Sequence, residues 1–172
     1  DLFLKMGGHP MAAGFSLLPC DLESLRTTLN ENSSLTEEML IPKVTIDIHL
    51  PIGYVSEELI NDLRRLEPFG KGNEKPLFAE KNLKIKSALI IGKKASGIRF
   101  RVENRHGREM EAIYFGDVVQ FFEYIGNTYG SEEAEKLKTG RGIKTEISIT
   151  YFPKMNEYNG YKTIQLMIQN YR

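Results

Sequence analysis

The strongest constraint lies in the second half of the chain, where five strand-like segments are interrupted once, between the third and the fourth, by a helix-like one. Leu83 to Ile91 is the first long apolar run and Gly92 to Gly97 reads as a turn. Ile98, Phe100 and Val102 then alternate with Arg99, Arg101 and Glu103, so one strand face is apolar and the other charged. Arg105-His106-Gly107-Arg108 reads as a hairpin turn and Met110 to Phe115 as the third strand. Asp117 is placed to cap a helix whose Val118, Val119, Phe121, Phe122 and Ile125 form a broad apolar face. The charged stretch Ser131 to Lys138 reads as a short exposed helix. Thr145 to Phe152 is the fourth strand, Asn159-Gly160 a strong two-residue hairpin signal, and Tyr161 to Ile168 the fifth strand.

The order β-β-β-α-β-β is that of an OB-fold, a small Greek-key barrel that binds oligonucleotides, with its helix plugging one end. Burying the five apolar side chains of that helix contributes on the order of 10 kcal/mol gross, enough to explain the helix without a functional role. Upstream, Ala13 to Leu18 reads as a strand, and Leu22, Leu25 and Leu29 as the apolar face of a helix capped by Asp21. Glu37 to Leu40 gives one more helical turn, Val44 to Ile48 alternates as a strand, and Ser56 caps a helix carrying Leu59, Ile60, Leu63 and Leu66. The fold class expected is an α+β N-terminal remnant followed by an all-β OB-fold barrel with one plug helix. Its parts are 1–42, a connecting strand, helix and loop at 43–76, and the barrel at 77–172.

Charge is uneven along a chain of zero net charge: residues 1–76 hold seven basic against twelve acidic side chains, and 77–172 the remaining sixteen against eleven. A polyanion contact is therefore expected in the second half. The apolar runs, such as Ala88 to Ile91, are far too short to span a bilayer, so no membrane partner is expected. The single cysteine, Cys20, excludes an internal disulfide framework, fits a reducing cytoplasm, and has no neighbouring partner that would make it a nucleophile. The chain opens at Asp1 without a charged leader or an apolar h-region and reads as an excised fragment.

Two motifs carry chemistry. In Gly7-Gly8-His9-Pro10-Met11-Ala12-Ala13-Gly14 the glycines allow close backbone approach, free amides can line an anion, and an imidazole can donate to a phosphate oxygen. A histidine beside glycines is equally an ordinary structural turn. Followed by Phe15-Ser16-Leu17, the stretch resembles the GGHxxAAG signature of DHHA1 domains, the substrate-binding partners of DHH phosphoesterases. Leu66-Glu67-Pro68-Phe69-Gly70-Lys71-Gly72-Asn73-Glu74-Lys75-Pro76-Leu77-Phe78 resembles the LxPFGxGNPxPxF segment of RecJ-type exonucleases, with Glu74 where that family usually has Pro. The resemblance covers essentially the whole chain. It implies a 5′-to-3′ exonuclease on single-stranded DNA, dependent on Mn²⁺ or Mg²⁺ and used in repair and recombination. It also implies that Gly7, Gly8 and His9 contact substrate phosphate, while the metal ligands belong to a DHH part absent from this chain. The inventory agrees: five Asp and three His, at 9, 49 and 106, form no clustered ligand pattern, and two-metal hydrolysis needs one. No catalytic residue and no metal site are expected here.

The Gly70-Lys71-Gly72-Asn73 loop lacks P-loop spacing and reads as a structural linker, with Lys71 available to a nucleic-acid backbone. The candidate nucleic-acid contacts lie in the barrel: Arg99 and Arg101 on one strand face, Lys93, Lys94, Arg105 and Arg108 in turns, and Tyr158, Tyr161 and Lys162 about the last hairpin. Cations neutralise phosphates and aromatic rings stack bases, which is how such barrels grip single strands. Solvated charges and packed tyrosines would look the same in sequence. Two other readings are open. One is a protein-docking module for a single-strand-binding protein or a helicase, which the acidic Glu132-Glu133-Ala134-Glu135 segment allows. The other is a related DHH-family phosphodiesterase on short RNA or cyclic dinucleotides.

Overall fold

A computed structural model describes residues 2–140 and 143–172; Asp1, among the aspartates counted above, lies outside them. The chain forms two compact units, one ending at Val44 and the other spanning Thr45–Arg172.

The second unit is built on a closed ring. Its strands are β4 (Phe78–Ile91), β5 (Gly97–Glu103), β6 (Glu109–Phe115), β7 (Glu146–Tyr158) and β8 (Tyr161–Tyr171). They are hydrogen-bonded in the order β4-β5-β6-β8-β7, with β4 and β7 paired to close it. All contacts are antiparallel except β6 with β8. This is the OB arrangement expected from the element order. β4 makes closure geometrically feasible because it serves two neighbours in succession: Phe78 to Lys84 pair with β7, and Lys84 to Ile91 with β5. Register shifts between Glu80 and Leu83, and between Ile85 and Ser87, bend it from one partner to the other. Within the ring the alternation works as expected: Ile98, Phe100 and Val102 are 0%, 1% and 0% exposed, and Arg99 and Arg101 point out.

Helix α4 (Val118–Tyr129) follows β6, capped by the Asp117 carboxylate, which accepts from Gln120 N–H at 2.9 Å. Phe121 and Ile125 are buried in the main core, with the Phe121 ring 5.2 Å from Phe100 and 4.9 Å from Tyr171. Helix α5 (Ser131–Thr139) is not the exposed segment its charges suggest. Ala134 and Leu137 are buried, and Glu133 turns inward to accept from Lys144 N–H and, at 3.2 Å, from the Thr145 hydroxyl. Because 133 and 137 are one helical turn apart, one face of α5 packs on the barrel while Glu132 and Glu135 pair with Lys136 and Lys138 outside.

The segment before β4 packs with the ring. Of the alternating stretch 44–48 only Ile48 joins a strand, β3 (Ile48–His49), which pairs in parallel with Phe78 and Ala79. The physical reason is that β5 pairs with β4 from Lys84 onward, leaving a short length open. Helix α3 (Glu57–Arg64), capped by Ser56, buries Ile60 and Leu63. The Tyr151 hydroxyl donates to Leu50 O at 2.6 Å and ties this segment to β7.

In the first unit the Gly7–Gly14 stretch is not a loop but a hairpin, β1 (Lys5–His9) with β2 (Ala12–Ser16), with Gly7 opposite Gly14. A Cβ on Gly8 would lie 2.7 Å from Ala12 O, so the close approach of the two strands itself requires glycine there. Asp21 does not cap the following helix. It lies in a 3₁₀ turn, Pro19–Asp21, with no side-chain cap bond to α1 (Leu22–Glu31). The short helix α2 (Glu37–Leu40) is capped by Thr36.

Candidate nucleic-acid interface

Register sets the strand face. Arg99 lies opposite Ile113 and Arg101 opposite Glu111, while Glu111 lies beside Gln165 of β8. The two arginines are thus brought together on the outside of β5, but not as free cations. Arg101 pairs with Glu109 at 3.4 Å, Arg99 with Glu111 at 4.0 Å, and neighbouring Lys86 with Glu103 at 2.9 Å. The hydrogen bond between Lys86 and Glu103 holds the amine above, and the carboxyl below, its ordinary titration range. Glu111 also accepts from the Gln165 amide. Exposed pairs of this kind contribute little stability, so a phosphate can compete for each arginine, but the face carries no excess of positive charge.

The remaining candidates bracket this face. Lys93 and Lys94 sit in the β4–β5 turn, where Gly92 and Ala95 both adopt positive φ (88° and 51°). At the other end the β5–β6 turn is built by Asn104, which is buried and accepts from His106 N–H and Arg108 N–H, each at 3.0 Å. That side chain holds the turn tight and leaves Arg105 and Arg108 outside it. Arg108 and Arg101 line a groove of about 430 Å³ with Glu109, Glu111, Thr163 and Ile164. Seven residues of β5 separate the two turns, about 20 Å at strand rise.

The last hairpin extends beyond the ring. β7 pairs with β4 up to Tyr151 and β8 pairs with β6 from Gln165, so residues 152–158 and 161–164 form a ribbon outside those pairings. Asn159 and Gly160, both at positive φ (49° and 78°), make its turn. Tyr158 and Tyr161 face one another across it, 72% and 78% exposed, with Lys162 opposite Glu157. Tyrosines this exposed are not core residues.

Gly7, Gly8 and His9 lie in the first unit. His9 Nδ1 accepts from Met11 N–H at 3.2 Å, which fixes the ring on its own turn and leaves Nε2 for another partner. The PFGKGN loop, expected as a linker, lies inside the second unit, between α3 and β4. Gly70 and Asn73 exchange backbone hydrogen bonds of 2.8 and 3.0 Å, and the Asn73 amide donates to Leu66 O and Pro68 O, so those groups are engaged within the loop. Lys75 lies 4.9 Å from the Phe152 ring, and Phe69 packs edge-on against that ring at 5.9 Å. Among the described residues no three His, Cys, Asp or Glu side chains converge as metal ligands. Sequence reasoning passed over Asn104, Lys81, Lys84 and His49. An Asn before a His-Gly turn is a legible signal, whereas the two lysines are brought together only by the kink in β4.

The family model described as the RecJ OB domain matches residues 46–170. The chain belongs to the RecJ OB domain family. The match begins ahead of the ring, so the β3–α3 segment is part of what the RecJ OB domain comprises. The chain is 30% identical over 172 residues to the single-stranded-DNA-specific exonuclease RecJ of Bacillus subtilis, covering 99% of this chain and 20% of that protein. It is 30% identical over 78 residues to the RecJ of Thermus thermophilus, 45% of this chain and 12% of that one. The crystal structure of T. thermophilus RecJ in complex with Mn²⁺ superposes with a TM-score of 0.65 at 20% identity, over 100% of this chain and 22% of that one. That likeness shows a shared fold. The chain spans about a fifth of the length of its B. subtilis relative.

Proposed function

We propose that this RecJ OB unit grips single-stranded DNA for a RecJ-type 5′-to-3′ exonuclease of DNA repair and recombination. The observation that carries the reading is the bracketed face. A closed OB ring presents one outer strand face with cationic turns at both ends and two exposed tyrosines on a projecting ribbon. Phosphates along a strand would meet Lys93 and Lys94 at one end and Arg105 and Arg108 at the other, and bases would stack on Tyr158 and Tyr161. Arg99 and Arg101 would exchange their glutamate partners for phosphate as the strand is laid down. The first unit, with Gly7, Gly8 and His9, would supply phosphate contacts of a DHHA1 domain. Phosphodiester cleavage would belong to a Mn²⁺- or Mg²⁺-dependent DHH centre elsewhere in the parent enzyme.

Fluorescence anisotropy with labelled single- and double-stranded oligonucleotides across a salt series tests this. Preference for single strands, weakening with salt, is the expected result. Removing Arg105 and Arg108 together should lower the magnitude of the salt slope by about 1.4, at roughly 0.7 per single-strand phosphate contact. The already paired Arg99 and Arg101 should matter less. Absence of single-strand binding at low salt would withdraw the DNA role and move the reading to protein docking.

A further inference from the structure

Beside the kink in β4 lies a second concave site, about 420 Å³, walled by Lys81, Lys84 and Arg105 together with His49 and His106, two of the chain's three histidines. In an unbroken strand, residues 81 and 84 would face opposite sides. The register shift between Glu80 and Leu83, with Asn82 at φ 57°, resets that alternation and turns both lysines into one cavity. The β5–β6 turn adds Arg105 and His106 from the far wall, and β3 adds His49.

The cations here differ from those on the strand face. Lys86, Arg99 and Arg101 each have a glutamate partner, whereas Lys81, Lys84 and Arg105 make no ion pair among the described residues. Two carboxylates also line the cavity. Glu80 is buried and spends one oxygen on Ile52 N–H at 2.6 Å, holding the segment before α3 in place; Glu146 is half-buried at the start of β7. Three cations without an ion-pair partner among the described residues outnumber the two carboxylates in this cavity, one of which is engaged with Ile52 N–H, an arrangement that favours a bound anion. Ammonium, guanidinium and imidazole donors on several walls suit the several acceptor oxygens of a phosphate. A volume of 420 Å³ falls in the range of small-molecule sites and accommodates a nucleotide.

We propose that this cavity is a phosphate site that takes one nucleotide, distinct from the β5–β6 face. The β5–β6 turn stands between the two: Arg108 lines the face groove, while Arg105, offered above as a strand contact at this turn, also walls the cavity and is the residue the two sites share. Two sources share this chemistry, a nucleotide of a bound strand and a free nucleoside monophosphate. The inference rests on the charge and shape of the cavity and does not require the strand face to bind DNA.

The test is a ¹H–¹⁵N correlation titration of the 172-residue chain with inorganic phosphate and with dTMP at low salt. Saturable shifts at Asn82, Lys84 and His106 are expected, and Lys81→Ala with Arg105→Ala should weaken dTMP binding at least tenfold. An unchanged amide spectrum elsewhere shows that the double variant is folded. Arg99→Ala with Arg101→Ala should leave dTMP affinity within twofold. Shifts that remain linear in ligand, or that scatter over surface cations without favouring the cavity, overturn the proposal, as does undiminished affinity in the folded Lys81/Arg105 variant. Adding a labelled dT oligonucleotide separates the sources: displacement by dTMP assigns the site to the strand, and simultaneous binding assigns it to the free nucleotide. Loss of the strand-face reading would leave the dTMP result standing, and loss of the cavity would leave the Arg105-independent part of strand binding standing.

Discussion

Single side chains decide how the ring is held to the segment that precedes it. Tyr151 is fully buried, and its hydroxyl donates to Leu50 O at 2.6 Å. Burial, and then the charge of Glu80, push its phenol well above the ordinary tyrosine range. Tyr151→Phe removes the donor and strands a carbonyl, so chemical denaturation should show a loss of about 1–3 kcal/mol. Tyr171, packed against Tyr114, Phe121 and Tyr124, is pushed up to about 12, mainly by burial. A raised folded-state pKa means the native state keeps its proton longer than the unfolded chain. Tyr171 therefore leaves stability untouched below pH 10 and removes it progressively between pH 10 and about 12. Tyr171→Phe should flatten the pH dependence of the unfolding midpoint in that window. These roles were not legible in the sequence, where a tyrosine in a strand gives no sign of whether its ring faces the core.

At the scale of elements, period-2 alternation made β5 readable to within a residue, and Asn159-Gly160 located the last turn, because both signals are local. What escaped depended on partners distant in sequence. β4 begins at Phe78 rather than Leu83 because β7 pairs with its first half. Charge outnumbers apolar residues on α5 and suggests a solvated helix, yet Ala134 and Leu137 are buried. The surface role considered for the Glu132–Glu135 segment accordingly loses Glu133, which is engaged with Lys144 and Thr145. Arg99 and Arg101 were visible as an outward pair, but their glutamates on β6 required the register. The plug helix is the element on which the barrel end depends most: Phe121 contacts the rings of Phe100, Tyr114, Phe122 and Tyr171. Phe121→Ala should cost about 3–5 kcal/mol by thermal or urea unfolding, well above the effect of an exposed substitution such as Val119→Ala on the same helix.

At the scale of the molecule, the two units differ sharply in core. The second holds a continuous cluster running from Ile52 to Ile168. In the first, Leu25 is the one buried hydrophobic residue among those described, while Leu4, Met6, Met11, Phe15, Leu22 and Leu29 stand exposed. Leu22 and Leu29 belong to the apolar face that the helical spacing of α1 announces, so the sequence provides for a packing surface that the described residues leave uncovered. Hydrogen bonding alone does not hold a ten-residue helix or a hairpin of two five-residue strands in water, since each derives most of its stability from buried apolar area. Local opening of the first unit should therefore precede opening of the ring. Native-state hydrogen exchange on the 172-residue chain provides the measurement. Amides of Phe100, Val102 and Leu166 are expected to exchange through global unfolding, with free energies that track denaturant. Those of α1 and the β1–β2 hairpin are expected to exchange at least a hundredfold faster and independently of denaturant at low concentration. Equal protection in both units would mean that the exposed leucines and methionines of the first unit are covered in solution.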